Sequence, residues 1–274
     1  MMRFRSPVLS VLTALALSLG AATAHAQARE QGRLLTAGEV LEEVRGSRDQ
    51  MIPDRLLERA YGIAVIPDLT KVAFFAGGRR GHGVLVVRDK QGRFSNPVFI
   101  TMTGGSFGWQ WGVQSADLVL VFTTPKGVEG INGGKVTLGA DASVAAGPVG
   151  RQASAATDSN FKAEVYSYSR SRGVFAGLAL DGTVISIDDD ADQAFYGKPV
   201  AAGDILSGSV TSNDESARRF MAAVATSTGL QQRSASAAGA APAPEGAPAP
   251  APAPPPGGAQ SFPLADPHPG QEPK

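Results

Sequence analysis

Residues 62–89 read GIAVIPDLTKVAFFAGGRRGHGVLVVRD. Three apolar runs of strand length, GIAVIP, KVAFFAG and GVLVVRD, follow one another here, rich in β-branched and aromatic residues and separated only by Asp, Pro and Gly breaks. Gaps this short leave no room for helical crossovers, so the runs are expected to pair as hairpins in a largely antiparallel sheet. The same texture continues downstream in PVFITMTG, SFGWQWGV, DLVLVFTT, KAEVYSYSRS, GVFAGLAL and GTVISIDD. So many short strands predict a sheet that curls, barrel-like or sandwich-like.

Outward from the strands the period becomes helical. Thr36-Ala37-Gly38-Glu39 has the capping-box pattern and predicts the start of a short helix with Val40, Leu41 and Val44 on one face. Gly46-Ser47 interrupts it, and Ile52-Pro53-Asp54 opens a second piece carrying Leu56, Leu57 and Ala60. This apolar face is expected to pack on the domain rather than to lie free on a membrane. At the other end an amphipathic helix is predicted from Asp214 to Thr228, with Phe220, Met221 and Val224 as its buried side. Helices at both ends and strands between them define an α+β domain.

Both termini read as something other than this domain. Residues 1–26 combine Arg3 and Arg5, an apolar stretch from Val8 to Leu19 and the small-residue ending Ala24-His25-Ala26. That is the pattern of a secretory signal peptide cut before Gln27, since the stretch is shorter than the roughly 20 residues of a spanning helix. The expectation is an exported protein, periplasmic or extracellular, with at most peripheral membrane association. Residues 234–274, beginning SASAAGAAPAPEGAPAPAPAPPP, carry a single aromatic residue, Phe262. Such a segment buries too little apolar area to offset its ordering entropy and is expected to be a disordered, semi-extended tail dispensable for folding. The domain is therefore placed at 27–233.

Composition removes several function classes. There is no cysteine, hence no disulfide, thiolate metal site or cysteine nucleophile, and 25 Lys and Arg balance 25 Asp and Glu. Without a basic domain there is no reason to expect nucleic acid as a partner. No cofactor is expected.

Four segments carry a family resemblance: ERAYGIAVIPDLTKVAFFAGGRRGHGVLVVRD, TGGSFGWQWGVQSADLVLVF, KVTLGADASVAAGPVGRQASAATD and KAEVYSYSRSRGVFAGLALDGTVISIDDDADQAFYG. Together, over Leu57 to Tyr196, they resemble the SYLF domain family, a lipid-binding module of bacteria and eukaryotes. The resemblance implies lipid or membrane-surface binding. It also brings phosphoinositides and, in fungi, actin, which are unlikely partners in a bacterial envelope. In some eukaryotic members an N-terminal amphipathic helix contributes to lipid binding. Here that segment carries Glu39, Glu42 and Glu43 beside Arg45 and Arg48, a charge pattern that opposes anionic lipid.

Among local motifs, the basic set Lys71, Arg79, Arg80, His82, Arg88, Lys90 and Arg93 is opposed only by Asp89. One reading is a headgroup site in which the glycine-rich run 77–83 turns its N–H groups toward a phosphate and the arginines add bidentate donors. The other is a hairpin whose charges keep a sheet edge soluble. Phe107, Trp109 and Trp111 share one strand face by alternation, either as core or as an aromatic lipid contact. Gly104-Gly105-Ser106-Phe107-Gly108 has the hydrolase G-x-S-x-G spacing, but a strand follows the serine and the histidine downstream, His268, lies in the tail. Gly133-Gly134-Lys135 lacks the Ser or Thr of a phosphate loop. Asp188-Asp189-Asp190-Ala191-Asp192 lacks the glycine of a calcium loop and suits the N-terminus of a short helix ending near Tyr196-Gly197. With no catalytic constellation and no metal set, the expectation is a non-enzymatic envelope protein that binds lipid, contacting anionic phospholipid headgroups. The alternative is a protein-interaction or scaffolding module. The segment 141–158, small and Gly/Ala/Ser-rich, has no sequence-level account.

Overall fold

The structure is a computed structural model and describes residues 25–43, 52–73, 76–107, 112–148, 162–171 and 174–230. Helix α1 spans 25–43 and α2 spans Asp54–Glu58. Four long strands follow, β1 (Gly62–Ala73), β2 (Ala76–Val87), β3 (Val98–Phe107) and β4 (Gly112–Phe122). Then come α3 (Lys126–Asn132), β5 (Lys135–Thr137), β6 (Val144–Ala146), β7 (Val165–Ser171), β8 (Val174–Gly177) and β9 (Val184–Ile187). Helices α4 (Asp189–Tyr196), α5 (Ala202–Leu206) and α6 (Glu215–Ser227) close the chain. The sheet runs β5-β9-β3-β2-β1-β4-β7-β6 with β8 on β7, antiparallel except for β6 against β7, and curls into a half-barrel. The expected α+β class with helices at both ends is what the chain adopts.

The central strands are apolar in unbroken runs because both faces of the sheet are covered. Ile63, Val65, Val84, Val86, Val119 and Val121 point to a layer shared with Leu34, Leu41, Leu57, Phe195, Phe220 and Val224 of the helices. Their neighbours Ala64, Ile66, Leu85, Leu118 and Leu120 point the other way, toward Val128 and Ile131 of α3 and toward Val136, Leu138 and Leu180. The predicted C-terminal helix is α6, capped by Asp214, whose carboxylate accepts the Ser216 N–H at 2.8 Å. Phe220 and Val224 are buried there as expected, and Met221 is partly buried.

Three expectations are corrected. The capping box at Thr36 is not a helix start: α1 is already helical from residue 25, and the Thr36 hydroxyl donates back to the Gly32 carbonyl at 3.1 Å. GIAVIP and the start of KVAFFAG, Lys71 to Ala73, are one strand rather than two, because Pro67-Asp68 forms a bulge with Asp68 at φ 51° and pairing resumes beyond it, while Ala76-Gly77 at its end already belong to β2. The glycine-rich run 77–83 is not a turn. Gly77 to Gly83 lie in mid-strand, paired one for one with β3 from Ser106 to Ile100. Their small size serves packing: a Cβ on Gly81 would stand 2.5 Å from Ile66 Cγ2, and one on Gly83 would stand 2.4 Å from the Val65 carbonyl oxygen. The bulge in β1 lies over this part of β2.

Part of the segment 141–158 also gains a reason. Residues 144–146 form β6, and a Cβ on Gly147 would collide with the Tyr168 ring at 2.0 Å. Small side chains let β6 close over a buried tyrosine. The rest of that segment, the expected signal peptide up to residue 24, Val44, Gly46-Ser47 and the Pro/Ala tail lie outside the described residues.

Candidate functional site

Strand pairing decides which of the basic residues meet. Lys71 pairs with Arg79 across the β1–β2 ladder, Thr70 pairs with Arg80, and Arg79 and Arg80 face Gly104 and Thr103 of β3. These three cations are gathered near one end of the sheet. β1 stops at Ala73 and β2 starts at Ala76, while Phe107 of β3 pairs with Ala76 and Gly112 of β4 pairs with Ala73. Phe74, Phe75, Trp109 and Trp111 lie outside the described residues; Phe107 is the last residue of β3.

Arg79 is half-buried, its guanidinium reaching the Ala179 and Gly105 carbonyls at 3.4 Å each, and burial lowers its pKa from the ordinary arginine value. Arg80, one residue on and so on the opposite face, is exposed. The backbone N–H groups around them belong to the ladders with β1 and β3, which removes the anion-binding nest expected from the glycines. Phosphate recognition at this end is left to side chains.

The other basic residues are elsewhere. Eight residues of strand put Arg88 roughly 26 Å from Arg80. Arg88 donates to the Glu58 carbonyl at 3.2 Å and stacks over Phe94 at 4.8 Å from the ring centroid. Arg93 pairs with Asp89 at 3.0 Å. Asp89 accepts the Arg93 and Gln91 backbone N–H groups, and these bonds with the Arg93 guanidinium hold its carboxyl below the usual range. Lys90 is exposed in the same turn.

His82 is drawn into a different group. Its Nδ1 lies 3.1 Å from Asp188 Oδ2 and 3.2 Å from the Thr101 hydroxyl, which itself donates to Asp188 at 3.1 Å. Asp188 caps α4 as expected, accepting the Ala191 N–H at 3.2 Å, and Gly197 ends the helix with φ 71°. Desolvation by burial opposes ionisation of Asp188, yet the bonds from His82, Ala191 and Thr101 outweigh it and leave its pKa lowered. Asp192 is not solvated at all: it is fully buried and accepts the Phe99 N–H at 2.9 Å. Beside it, α1 contributes Glu30 and Arg33, residues that sequence reasoning passed over. The signal was available, because Glu30 falls on the helical stripe of Leu34, Ala37 and Leu41, where a carboxylate has to be buried.

Ser106 is the next-to-last residue of β3, paired with Gly77 of β2, and Gly133-Gly134 form the turn between α3 and β5. Among the described residues no group of three acidic or histidine side chains is placed to hold a metal ion.

A family model described as Ysc84, Las17-binding protein actin regulator, matches residues 103–227. LAS seventeen-binding protein 3 of Saccharomyces cerevisiae is 41% identical over 165 residues, covering 59% of this chain and 36% of the yeast protein. The SH3 domain-containing YSC84-like protein 1 of Bos taurus is 33% identical over 168 residues, 61% of this chain and 49% of its own length. The chain thus spans half or less of these relatives.

Proposed function

Because the chain carries a domain of the SYLF family, we propose that it is a non-enzymatic, exported envelope protein that binds an anionic membrane surface through the sheet end that carries Lys71, Arg79 and Arg80. The observation that supports this most is the ladder register, which sets Lys71 directly opposite Arg79, eight residues on in sequence, with Arg80 at the same end of the strand on its other face. In sequence, Phe74, Phe75, Trp109 and Trp111 fall between these strands, aromatic residues of the kind enriched where proteins meet the headgroup region. Export rests on the pattern of residues 1–26. The names of the relatives, which speak of binding Las17, favour a second reading in which the domain binds a protein partner.

Flotation with phosphatidylglycerol or cardiolipin liposomes tests the first reading. The Debye length falls from roughly 10 Å at 0.1 M salt to about 3 Å at 1 M, so wild-type protein is expected to float at low salt and to be released at high salt. Equal flotation at both would replace the charged contact with an apolar one, since hydrophobic burial is not weakened by salt. No flotation at either would leave the protein-partner reading.

A further inference from the structure

The stripe by which α1 rests on the domain includes Glu30, and Glu30 is 0% exposed. Asp192 of α4 is also 0% exposed. Two carboxylates from elements more than 160 residues apart are thus withdrawn from water around one residue, Phe99, whose N–H Asp192 accepts and over whose ring lies Arg33, the ion-pair partner of Glu30. Glu30 is answered from its own helix: Arg33 Nη1 lies 2.7 Å from Oε2 and Arg29 Nε lies 2.9 Å from Oε1. Among the described residues Asp192 has no cation paired to it. Its Oδ1 accepts the Phe99 N–H, and its Oδ2 is buried without a hydrogen-bond partner. A carboxylate so placed is expensive to ionise. Burial, with the opposing charges of Asp189, Asp188 and Glu30, outweighs the Phe99 bond and pushes its pKa up to about 7.

We propose that Asp192 is a proton-operated latch for the N-terminal turns of α1: protonated, it is a neutral neighbour of Glu30 and the helix is seated; ionised, it opposes Glu30 and the turns around Glu30 loosen from α4. Among the described residues, the charged and titratable groups facing it come from two sides. From α1 there are Glu30 and Arg33, with Arg29 beyond Glu30; Arg33 also lies over the Phe99 ring, 5.5 Å from its centroid. From its own helix and cap there are Asp188, Asp189 and Tyr196, whose hydroxyl donates to the Pro97 carbonyl at 2.7 Å. Behind Asp188 stand His82 of β2 and Thr101 of β3. The device does not depend on the lipid reading.

The direction follows from linkage. The seated state holds the proton more tightly than an opened one, where a carboxyl titrates near 4, so seating weakens as pH rises from about 4 to about 7 and is level above that. For those two values the preference for the seated state drops about tenfold between pH 6 and pH 8. Hydrogen exchange on the full chain, corrected for the intrinsic pH dependence of exchange, reads this directly in peptides covering residues 27–36. Wild-type protection is expected to fall by that factor, D192N to keep its protection at both pH values, and H82Q to behave as wild type. Unchanged wild-type protection, or a drop that survives in D192N and disappears in H82Q, overturns the proposal. If D192N does not fold, E30Q substitutes for it: removing the opposing charge must move the transition to lower pH, and a transition that stays in place is equally fatal.

Discussion

At the Val87 end of β2, Arg88 is committed to the Glu58 carbonyl and the Phe94 ring and Arg93 to Asp89, whereas at the Ala76 end Arg80 is exposed with no ion pair among the described residues and Arg79 holds only two carbonyls at 3.4 Å. The two ends carry similar formal charge. They differ in whether the protein has already used it: a guanidinium bound to a carboxylate or stacked on a ring has less to offer an anion, and an exposed one keeps its donors. The comparison teaches that counting Lys and Arg along a hairpin overstates a binding site, and that the acceptors within reach set its size.

Charge reversal sharpens the comparison most. R79E with R80E changes the local charge by four units, each worth about 1 kcal/mol at an anionic surface, so liposome partitioning is expected to fall by roughly a thousandfold. K90E with R93E makes the same formal change at the other end, and binding is expected to fall less than about tenfold. Equal losses in flotation would break the distinction between the ends.

Glycines provide the next test, by thermal melting. Gly83 lies in the strand interior, where a Cβ would stand 2.4 Å from the Val65 carbonyl oxygen and 2.7 Å from Ile66 Cγ1. G83A is expected to cost about 3 kcal/mol, a Tm loss of about 6–12 °C for a domain of this size. Gly92, in the turn at the other end, has φ 82° and open space around it. G92A carries only the left-handed penalty of about 1–2 kcal/mol. A milder effect at Gly83 than at Gly92 would mean that β2 shifts readily beneath the β1 bulge.

The smallest expected effect separates a used cation from an unused one. R88A removes a ring contact and a hydrogen bond and is expected to lower stability by about 1–2 kcal/mol in denaturant unfolding. R80A is expected to stay within about 0.5 kcal/mol of wild type. If R80A destabilises as much as R88A, Arg80 is structural and the proposed contact loses its principal donor.

Much of this architecture was legible before any coordinates. Unbroken apolar runs such as GIAVI and GVLVV announce strands covered on both faces, and the 3.6-residue spacing of Phe220 and Val224 after Asp214 announces α6. The acids of 188–190 with Gly197 likewise mark both ends of α4. All of these are local signals, depending on backbone preference and on neighbours within a turn or a pleat. The expected helix start at Thr36 fails for a related reason: a capping pattern occurs inside helices as well, and residues 25–35 are helical because Leu34 and its stripe are buried against α6 and the sheet.

Periodicity and composition fix the class of fold, the order of most elements and the absence of thiol chemistry. The tertiary structure makes the run GGRRGHG strand rather than turn, since the contacts that select glycine at Gly81 and Gly83 come from Val65, Ile66 and Leu69 across the ladder. It also decided which arginines are already satisfied, and that Glu30 and Asp192 come to lie in one dry cluster. Each of these depends on a contact between residues distant in the chain, and local periodicity contains no information about which strand or helix will supply the partner.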